Sequence, residues 1–155
     1  MAAWLMYEEI AMFQKILICS DGSDRSLIAA EVAAELAKTY KAELTLLHVC
    51  QIPAMEAPFP GAPAFAGPAV DAYVTEMHNA VITRTLPIIR RAGVCCEILT
   101  ESGSPAEIIA RVANQQEFGL VILGSRGVSP DKAEKVGSVC HRVIHDAYCP
   151  VLVVR

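Results

Sequence analysis

The chain has 155 residues, of which 54% are hydrophobic and 19% charged, and its formal net charge is −4 at pH 7. This size fits one globular domain, and the high apolar content excludes intrinsic disorder and favours a large core or a subunit contact. The acidic balance argues against a nucleic-acid partner, and no uncharged apolar run reaches the roughly 18 residues that cross a membrane.

The N-terminal residues precede the first predicted strand, and Met12 is a candidate start of the protein. We therefore expect one domain over residues 12–155, with residues 1–11 as an extension of unknown role. This extension carries Glu8 and Glu9 instead of the basic region of a secretory signal. The six cysteines include no CxxC pair, and several lie in apolar runs, so we expect reduced thiols and a cytoplasmic protein.

Short apolar runs rich in β-branched residues alternate with longer helical stretches. These runs predict strands over residues 15–19, 43–50, 94–100, 120–123 and 151–154. Their continuous apolar character is typical of strands that are covered on both faces of a sheet. The alternation predicts an α/β fold, with a doubly wound, mostly parallel sheet of five strands and helices on both faces.

The helical stretches have their own signatures. Polar residues recur at helical spacing on one face of residues 24–40, and alanines occupy the opposite face, so this helix is expected to pack on the sheet. A second helix is predicted over residues 69–92, where Pro87 should cause a kink or an early end. A capping-box sequence that begins at Ser104, with proline at the first helical position, predicts a third helix over residues 105–116.

A proline-rich segment, residues 51–68, follows the second predicted strand. It contains five prolines and a single charged residue, Glu56, so we expect no regular secondary structure there. Its position places it at the carboxyl edge of the sheet, where α/β proteins bind ligands. Both a lid over a ligand and a spacer fit this composition.

A glycine-rich segment follows the fourth predicted strand. Gly124 and Gly127 are followed, after nine residues, by Gly137 and Ser138, which open the last predicted helix. Glycines let the backbone approach a ligand closely, and the first amides of a helix point outward with the positive end of its dipole, so this geometry can bind phosphate. Arg126 can add positive charge. The alternative is a simple turn in which Gly137 and Ser138 only cap the helix.

Asp21 follows the first predicted strand. If that strand lies beside the fourth, in the order 3-2-1-4-5, Asp21 and Gly124 face each other across the crevice that binds ligands in doubly wound sheets. A carboxylate there can accept hydrogen bonds from ribose hydroxyls or from an adenine amino group. Alternatively, Asp21 or Ser23 caps the following helix, and the two roles are compatible.

Together these segments resemble the universal stress protein family over about residues 15–155. The resemblance rests on KILICSDGSDRS at the first strand, on LTLLHV in the second, and on G-x2-G-x9-G-S followed by CHRVIHDAYCPVLVVR. It implies a five-stranded, Rossmann-like parallel sheet in the order 3-2-1-4-5. This form of the glycine motif marks the branch of the family that binds ATP.

The resemblance also implies which residues form the site. Asp21 would meet the nucleoside, and Val49 would offer main-chain contacts to adenine. The residues that would line the ribose and phosphates are Gly124, Arg126, Gly127, Gly137, Ser138 and Val139. The expected ligand is ATP with Mg²⁺ or Mn²⁺. Family members commonly dimerise by pairing their last strands, here residues 151–154.

The spacer between the second and third glycines contains acidic residues that are unfavourable for binding phosphate. Asp131 and Glu134 would repel a triphosphate unless a divalent cation intervenes, although Lys132 and Lys135 offset their charge. From the resemblance, the leading hypothesis is an ATP-binding regulatory dimer of the stress response. One alternative is a stress-family dimer that does not bind nucleotide.

Catalytic motifs are lacking in this sequence. It contains no Walker GxxxxGK[ST], GxGxxG, GxSxG or HExxH sequence, so we expect no catalytic residues and at most slow ATP hydrolysis. A further alternative is an ATP pyrophosphatase of the PP-loop kind. Residues 20–26 are faintly similar to the first loop of that class, but the expected Gly-Gly pair is missing.

Several histidines and cysteines have spacings that suggest metal sites. His141 and His145 lie four residues apart in the last predicted helix, but no third ligand is apparent, so we expect them to face solvent or the edge of the core. His48 is expected to be packed within the second strand. Cys95 and Cys96 are expected on opposite faces of the third strand, which disfavours a shared metal or a bridge.

Overall fold

The structure is a computed structural model that describes residues 13–52, 67–127 and 136–155. Within these ranges, strands and helices alternate in the order β1 Lys15–Cys19, α1 Asp24–Tyr40, β2 Glu43–Cys50, α2 Pro68–Arg91, β3 Cys96–Ser102, α3 Pro105–Gln115, β4 Leu120–Gly124, α4 Ser138–Asp146 and β5 Val151–Val154. The extension at residues 1–11, most of the proline-rich segment and the charged residues of the glycine spacer lie outside the described ranges.

The five strands form one parallel sheet in the order β3-β2-β1-β4-β5. This confirms the predicted α/β fold and its Rossmann-like strand order. The winding reverses between β1 and β4, where Cys19 pairs with Leu123 at the carboxyl ends of the two strands. Parallel sheets of this kind form a ligand-binding crevice at that position.

Alternation along the strands divides the core into two layers, one on each face of the sheet. One layer contains strand residues Ile16, Ile18, Leu44, Leu46 and Ile122, packed against alanines of α1 and Ile89 of α2. The other contains Leu17, Leu47, Val121 and Leu123, packed against Ile109 of α3 and Val143 of α4. Helices therefore cover both faces of the sheet, as predicted. No helix in the described ranges is long and apolar enough to cross a membrane.

The strand boundaries confirm most of the predictions. β1, β2 and β5 have the expected bounds, and β4 gains Gly124, which pairs with Val154. β3 was expected at residues 94–100 but spans Cys96–Ser102. The reason is register: the pairing of β3 begins with Cys96 opposite Leu44, and Ser102 pairs with Cys50 at the other end. An edge strand tolerates such polar residues because one side of it is exposed.

Of the two outcomes predicted at Pro87, a kink or an early end, the early end is wrong, because α2 continues to Arg91. Proline removes one main-chain hydrogen bond, but Leu86 and Ile89 beside it are buried and hold this part of the helix on the core. α3 begins at Pro105, as predicted. Ser104 is the N-cap of α3, but the side-chain hydrogen bond that a capping box predicts is absent there.

Candidate functional site

A cleft of about 790 Å³ opens at the carboxyl edge of the sheet. It is lined by all eight residues predicted for the site, namely Asp21, Val49, Gly124, Arg126, Gly127, Gly137, Ser138 and Val139. Helices α2 and α3 contribute further lining residues that were not predicted, among them Tyr73, Met77, Val81, Pro105 and Ile109. The fold thus gathers the predicted residues around one space, since the carboxyl ends of parallel strands meet at one edge.

The carboxylate of Asp21 is held by the turn that follows β1. The Ser23 amide donates a hydrogen bond to its Oδ1 atom at 3.0 Å. Its Oδ2 atom lies beside Gly127, where an added Cβ would be only 2.5 Å away. A side chain at position 127 would therefore displace the carboxylate, and glycine is the residue that leaves room for it.

Gly124 has a different role from Gly127. A Cβ at position 124 would lie 2.7 Å from the main-chain carbon of Arg25 and from the nitrogen of Ser26. These atoms belong to the first turn of α1, which cannot move aside as a flexible side chain can. Gly124 lines the cleft with its main chain, while its missing side chain allows β4 and α1 to pack closely. The glycine next to the Asp21 carboxylate is Gly127.

Buried hydroxyl groups fix the corner between β1 and α1. The Ser20 hydroxyl lies 3.0 Å from that of Ser26 and 2.8 Å from that of Thr85 on α2. Ser26 donates to the carbonyl of Ser23, and Thr85 donates to the carbonyl of Val81. Ser26 and Thr85 use their protons in these bonds, so the single hydroxyl proton of Ser20 is shared between two acceptors and is donated to one of them at a time. This network ties the loop after β1 to both helices on that face.

Ser23 joins this corner to the loop after β4. Its hydroxyl donates to the carbonyl of Arg126 at 3.3 Å and accepts a hydrogen bond from the Ser26 amide at 3.3 Å. Ser23 is therefore the N-cap of α1, as the capping alternative proposed. Asp21 supports the turn by accepting a hydrogen bond from the Ser23 amide, and its Oδ2 atom lies on the Gly127 side of the cleft.

The first turn of α4 supplies main-chain amides to the cleft. Gly137 is the N-cap, and its own amide donates to the carbonyl of Ser125 at 2.8 Å. Ser138 and Val139 follow in the first turn, where amides have no acceptor within their own helix and carry the positive end of its dipole. This end of the cleft therefore suits an anion, and Ser138 and Val139 present amides to it more directly than Gly137 does.

Val49 presents its main chain to the crevice. The Ser20 amide donates to the carbonyl of Leu47 at 3.0 Å, so Leu47 directs its main-chain groups toward β1. Successive strand residues direct these groups to alternate sides, and Cys50 accordingly accepts a hydrogen bond from Gly103 on the other side. Val49 therefore directs its N–H and C=O to the β1 side, beyond the point where β1 ends.

His48 is packed within β2, as predicted, and is 6% exposed. It also lines the cleft, which the sequence analysis missed. Its Nδ1 atom lies 2.7 Å from Nδ1 of His78 on α2. The pKa of His48 is lowered to about 4, mainly by burial and also by the neighbouring His78, while the charge of Asp21 opposes the shift. The ring is therefore neutral at pH 7.

The other histidines and cysteines form no metal centre among the described residues, where no group of three potential ligands occurs. His141 and His145 are exposed on α4, as expected, and His145 lies 2.7 Å from the carboxylate of Asp146. All six cysteines are free. Cys95 precedes β3 and is exposed, whereas Cys96 is partly buried against the core.

The chain is similar to known proteins along nearly its whole length. The model of the Universal stress protein family matches residues 12–155. Universal stress protein YxiE of Bacillus subtilis is 34% identical over 151 residues, which cover 93% of this chain and 100% of that protein.

Solved structures share the fold. Universal stress protein UspA from Lactobacillus plantarum has a TM-score of 0.69 and 26% identity, and the match covers 92% of this chain and 98% of that one. A universal stress protein solved in complex with cAMP has a TM-score of 0.71, covering 93% of this chain and 98% of that one. At 22% identity, this second likeness shows the fold alone.

Proposed function

Because the chain belongs to the universal stress protein family, we propose that it is a regulatory protein that binds ATP in the cleft and hydrolyses it slowly or not at all. In this proposal residues 12–155 are one nucleotide-binding domain, which acts as a dimer in the cytoplasm during stress. Cys19, Cys50 and Cys140 are buried in the core, a placement that fits reduced thiols used as small apolar residues.

The position of the Asp21 carboxylate beside Gly127 supports this proposal most strongly. It places hydrogen-bond acceptors in the same cleft as the amide donors at the start of α4. Ribose hydroxyls need acceptors, and phosphates need donors and positive charge. A ligand with hydroxyls at one end and an anion at the other, which is the chemistry of a nucleotide, fits both. Arg126, half-buried at the edge of the cleft, adds a cation on the phosphate side.

The base is assigned to the part of the cleft near Val49. The N–H and C=O of this residue, which point to the β1 side beyond the end of β1, offer one donor and one acceptor, and these match the acceptor and the amino group on the edge of adenine. Met77, Pro105 and Ile109 supply apolar surface for the faces of the ring. The relative solved with cAMP shares the fold at low identity, so the choice of adenine depends on Val49 and its neighbours.

A divalent cation would enter with the nucleotide. The described residues include no three-ligand group that could hold a metal by themselves. Mg²⁺ is commonly bound through substrate phosphates and water with few protein ligands, and Mn²⁺ also prefers oxygen ligands. We therefore assign no protein residue as a metal ligand.

The groups that line the cleft favour binding over catalysis. Hydrolysis needs a positioned water and a base close to the terminal phosphate. In the proposed site the Asp21 carboxylate lies at the nucleoside end, and the ring of His48 is engaged with His78. Main-chain amides stabilise the phosphates of the ground state but transfer no proton. Slow turnover is the expected result.

Dimerisation is proposed through β5. This strand lies at the edge of the described sheet, and Leu152 within it is 36% exposed. Pairing of two such edges would cover this apolar surface and satisfy the main-chain groups of the strand. Sedimentation equilibrium tests this, with Leu152→Lys expected to shift the protein toward monomer.

Equilibrium dialysis of the full chain against ATP with Mg²⁺ tests the nucleotide proposal. We expect binding of ATP, at least tenfold weaker binding of GTP, and weakening of ATP binding by at least fivefold in Asp21→Asn. Asp24→Asn is the matched control, since Asp24 is on α1 with a side chain that is 94% exposed. An absence of binding at millimolar ATP would support a stress-family dimer without nucleotide. Release of AMP and pyrophosphate would instead support the pyrophosphatase.

A further inference from the structure

Helix α2 is held unevenly along its length. Its buried side chains are Val81, Thr85, Leu86 and Ile89, all in the C-terminal half. Residues 68–80, here called the wall segment, contain no buried side chain within the described helix, and Tyr73 is 41% exposed. Yet the wall segment lines the cleft through Tyr73 and Met77. One side of the cleft is thus formed by a helical segment with little apolar burial to hold it.

The contact between His78 and His48 holds the wall segment to the sheet. Their Nδ1 atoms are 2.7 Å apart, and the ring centroids are 4.8 Å apart at 83°. Among the described residues, this is the hydrogen bond that joins the wall segment to a strand. One Nδ1 must donate a proton and the other must accept it, so at least one ring is neutral while the contact exists. A proton added at the accepting Nδ1 would place two N–H donors against each other, and protonation of both rings would also bring two positive charges together.

Burial makes protonation of the pair unfavourable, although the charge of Asp21 favours it. Burial has the largest effect on the pKa of His48 and lowers it. His78 on α2 also lowers this pKa, and Asp21 after β1 raises it. Burial also lowers the pKa of His78. The nearby thiol of Cys50 on β2 has a pKa raised by burial, so it contributes no charge near neutral pH. The pair is therefore neutral when the wall segment is in place and more easily protonated when it is not.

We propose that the His48–His78 pair is a proton-sensitive latch, which holds the wall segment against β2 while the pair is neutral and releases it in mildly acidic solution. The C-terminal half of α2 stays anchored through Thr85 and Ile89, so release is confined to the wall segment. A consequence for nucleotide binding rests on the proposed function, because the base is placed against Met77. The latch itself does not depend on nucleotide.

Proton linkage gives the direction and size of the effect. The pKa of His48 is about 4 in the closed state, compared with 6.5 for a solvated ring. The open state therefore binds more protons between these values, and opening becomes more favourable as the pH falls from 6.5 toward 4. For His48 alone, the opening constant rises about fourfold at pH 6 and about thirtyfold at pH 5, relative to pH 8. Protonation of His78 increases both factors.

Amide hydrogen exchange of the full chain tests the latch without nucleotide. After correction for the intrinsic dependence of exchange on pH, we expect exchange of residues 68–80 to rise by these factors, while β1 and α1 remain protected. The double variant His48→Asn/His78→Asn places amide groups at the Nδ1 positions and cannot titrate, so its exchange should not respond to pH. The control His141→Asn, at an exposed position on α4, should respond as the wild type does.

A second measurement covers the case in which the double variant fails to fold. Histidine ¹⁵N spectra of the wild-type chain should show His48 still neutral near pH 6, where the exchange of residues 68–80 has already begun to rise, with its signal changing mainly toward pH 4. The latch is overturned if the double variant keeps the wild-type response, or if the histidines titrate while the wall segment stays protected.

Dialysis against ATP at pH 7.5 and 5.5 then separates this inference from the proposed function. We expect a loss of affinity at pH 5.5 in the wild type and in His141→Asn that exceeds the loss in the double variant, since protonation of ATP itself affects all three equally. If ATP fails to bind at pH 7.5, the proposed function fails, while the exchange result still decides whether the latch exists. Equal losses in all three proteins would overturn the coupling of latch and site.

Discussion

The two sides of the cleft are built differently. On one side, the corner between β1 and α1 is fixed by buried hydroxyls and by the close approach of Gly124 to the main chain of α1. On the other, the wall segment of α2 has no buried side chain in the described helix and is held by an imidazole pair. A rigid side suits groups that must be placed accurately, such as the Asp21 carboxylate. A weakly held side suits entry, release and regulation of a ligand.

Substitution at Gly124 should break the rigid side and has the largest expected effect. In Gly124→Ala the new Cβ would lie 2.7 Å from main-chain atoms of Arg25 and Ser26. Because main chain cannot yield cheaply, we expect the free energy of unfolding to fall by about 3 kcal/mol. Gly137→Ala is the control, since its Cβ would have no neighbour closer than 3.6 Å. Urea denaturation measures both, and equal losses would contradict the assigned role of Gly124.

A matched pair of valines on α2 compares its two halves directly. Val81 is 9% exposed, whereas Val74, two turns earlier, is only partly buried in the wall segment. We expect Val81→Ala to lower the free energy of unfolding by about 2 kcal/mol and Val74→Ala by less than about 0.5 kcal/mol. Urea denaturation with equal slopes gives both values. Similar costs at the two positions would show that the wall segment is as firmly packed as the rest of the helix.

Substitution at Gly127 should affect the ligand more than the fold. In Gly127→Val the added side chain would meet Oδ2 of Asp21 and displace the carboxylate. We expect ATP affinity to fall more than tenfold, which corresponds to about 1.4 kcal/mol, with little change in the free energy of unfolding. Calorimetric titration and urea denaturation of the same preparation measure the two effects. Wild-type affinity in this variant would mean that the Asp21 carboxylate does not contact the ligand.

Thr85 connects the rigid corner to α2, and its loss should have the smallest of these effects. Thr85→Val keeps the shape of the side chain but removes an acceptor from Ser20 at 2.8 Å. The Ser20 hydroxyl keeps Ser26 as a partner, so we expect a cost of about 1 kcal/mol in the free energy of unfolding. Ser20→Ala, which breaks both contacts, should cost more. The reverse order would show that Ser20 does not connect the two helices energetically.

Much of the fold could be predicted because local and global signals agree. Central strands such as β1 and β2 are continuous apolar runs bounded by polar residues, which fixed their limits. β3 was displaced by two residues because the register of an edge strand is set by its partner, with Leu44 opposite Cys96. The sequence also predicted that the site residues lie close together, since parallel strands bring their carboxyl ends to one edge of the sheet.

The contacts within the site could not be predicted in the same way. The glycine pattern locates Gly124 and Gly127 but does not say that one faces the main chain of α1 and the other the Asp21 carboxylate. These directions depend on the twist and packing of elements that are distant in sequence. The pairing of His48 with His78 spans thirty residues and depends on how α2 lies on the sheet. Only the helical spacing of His78 and Thr85, two turns apart, hints that both face the strands.

The most direct test of the nucleotide site is a two-dimensional ¹H–¹⁵N amide spectrum of the chain titrated with ATP and Mg²⁺. We expect the largest shifts at the amides of Val49, Ser138 and Val139, which line the cleft. The amides of Lys15 and Glu43, at the amino ends of β1 and β2, should stay unchanged. An unchanged spectrum at saturating ATP, or shifts centred on Lys15 and Glu43, would contradict the proposed site.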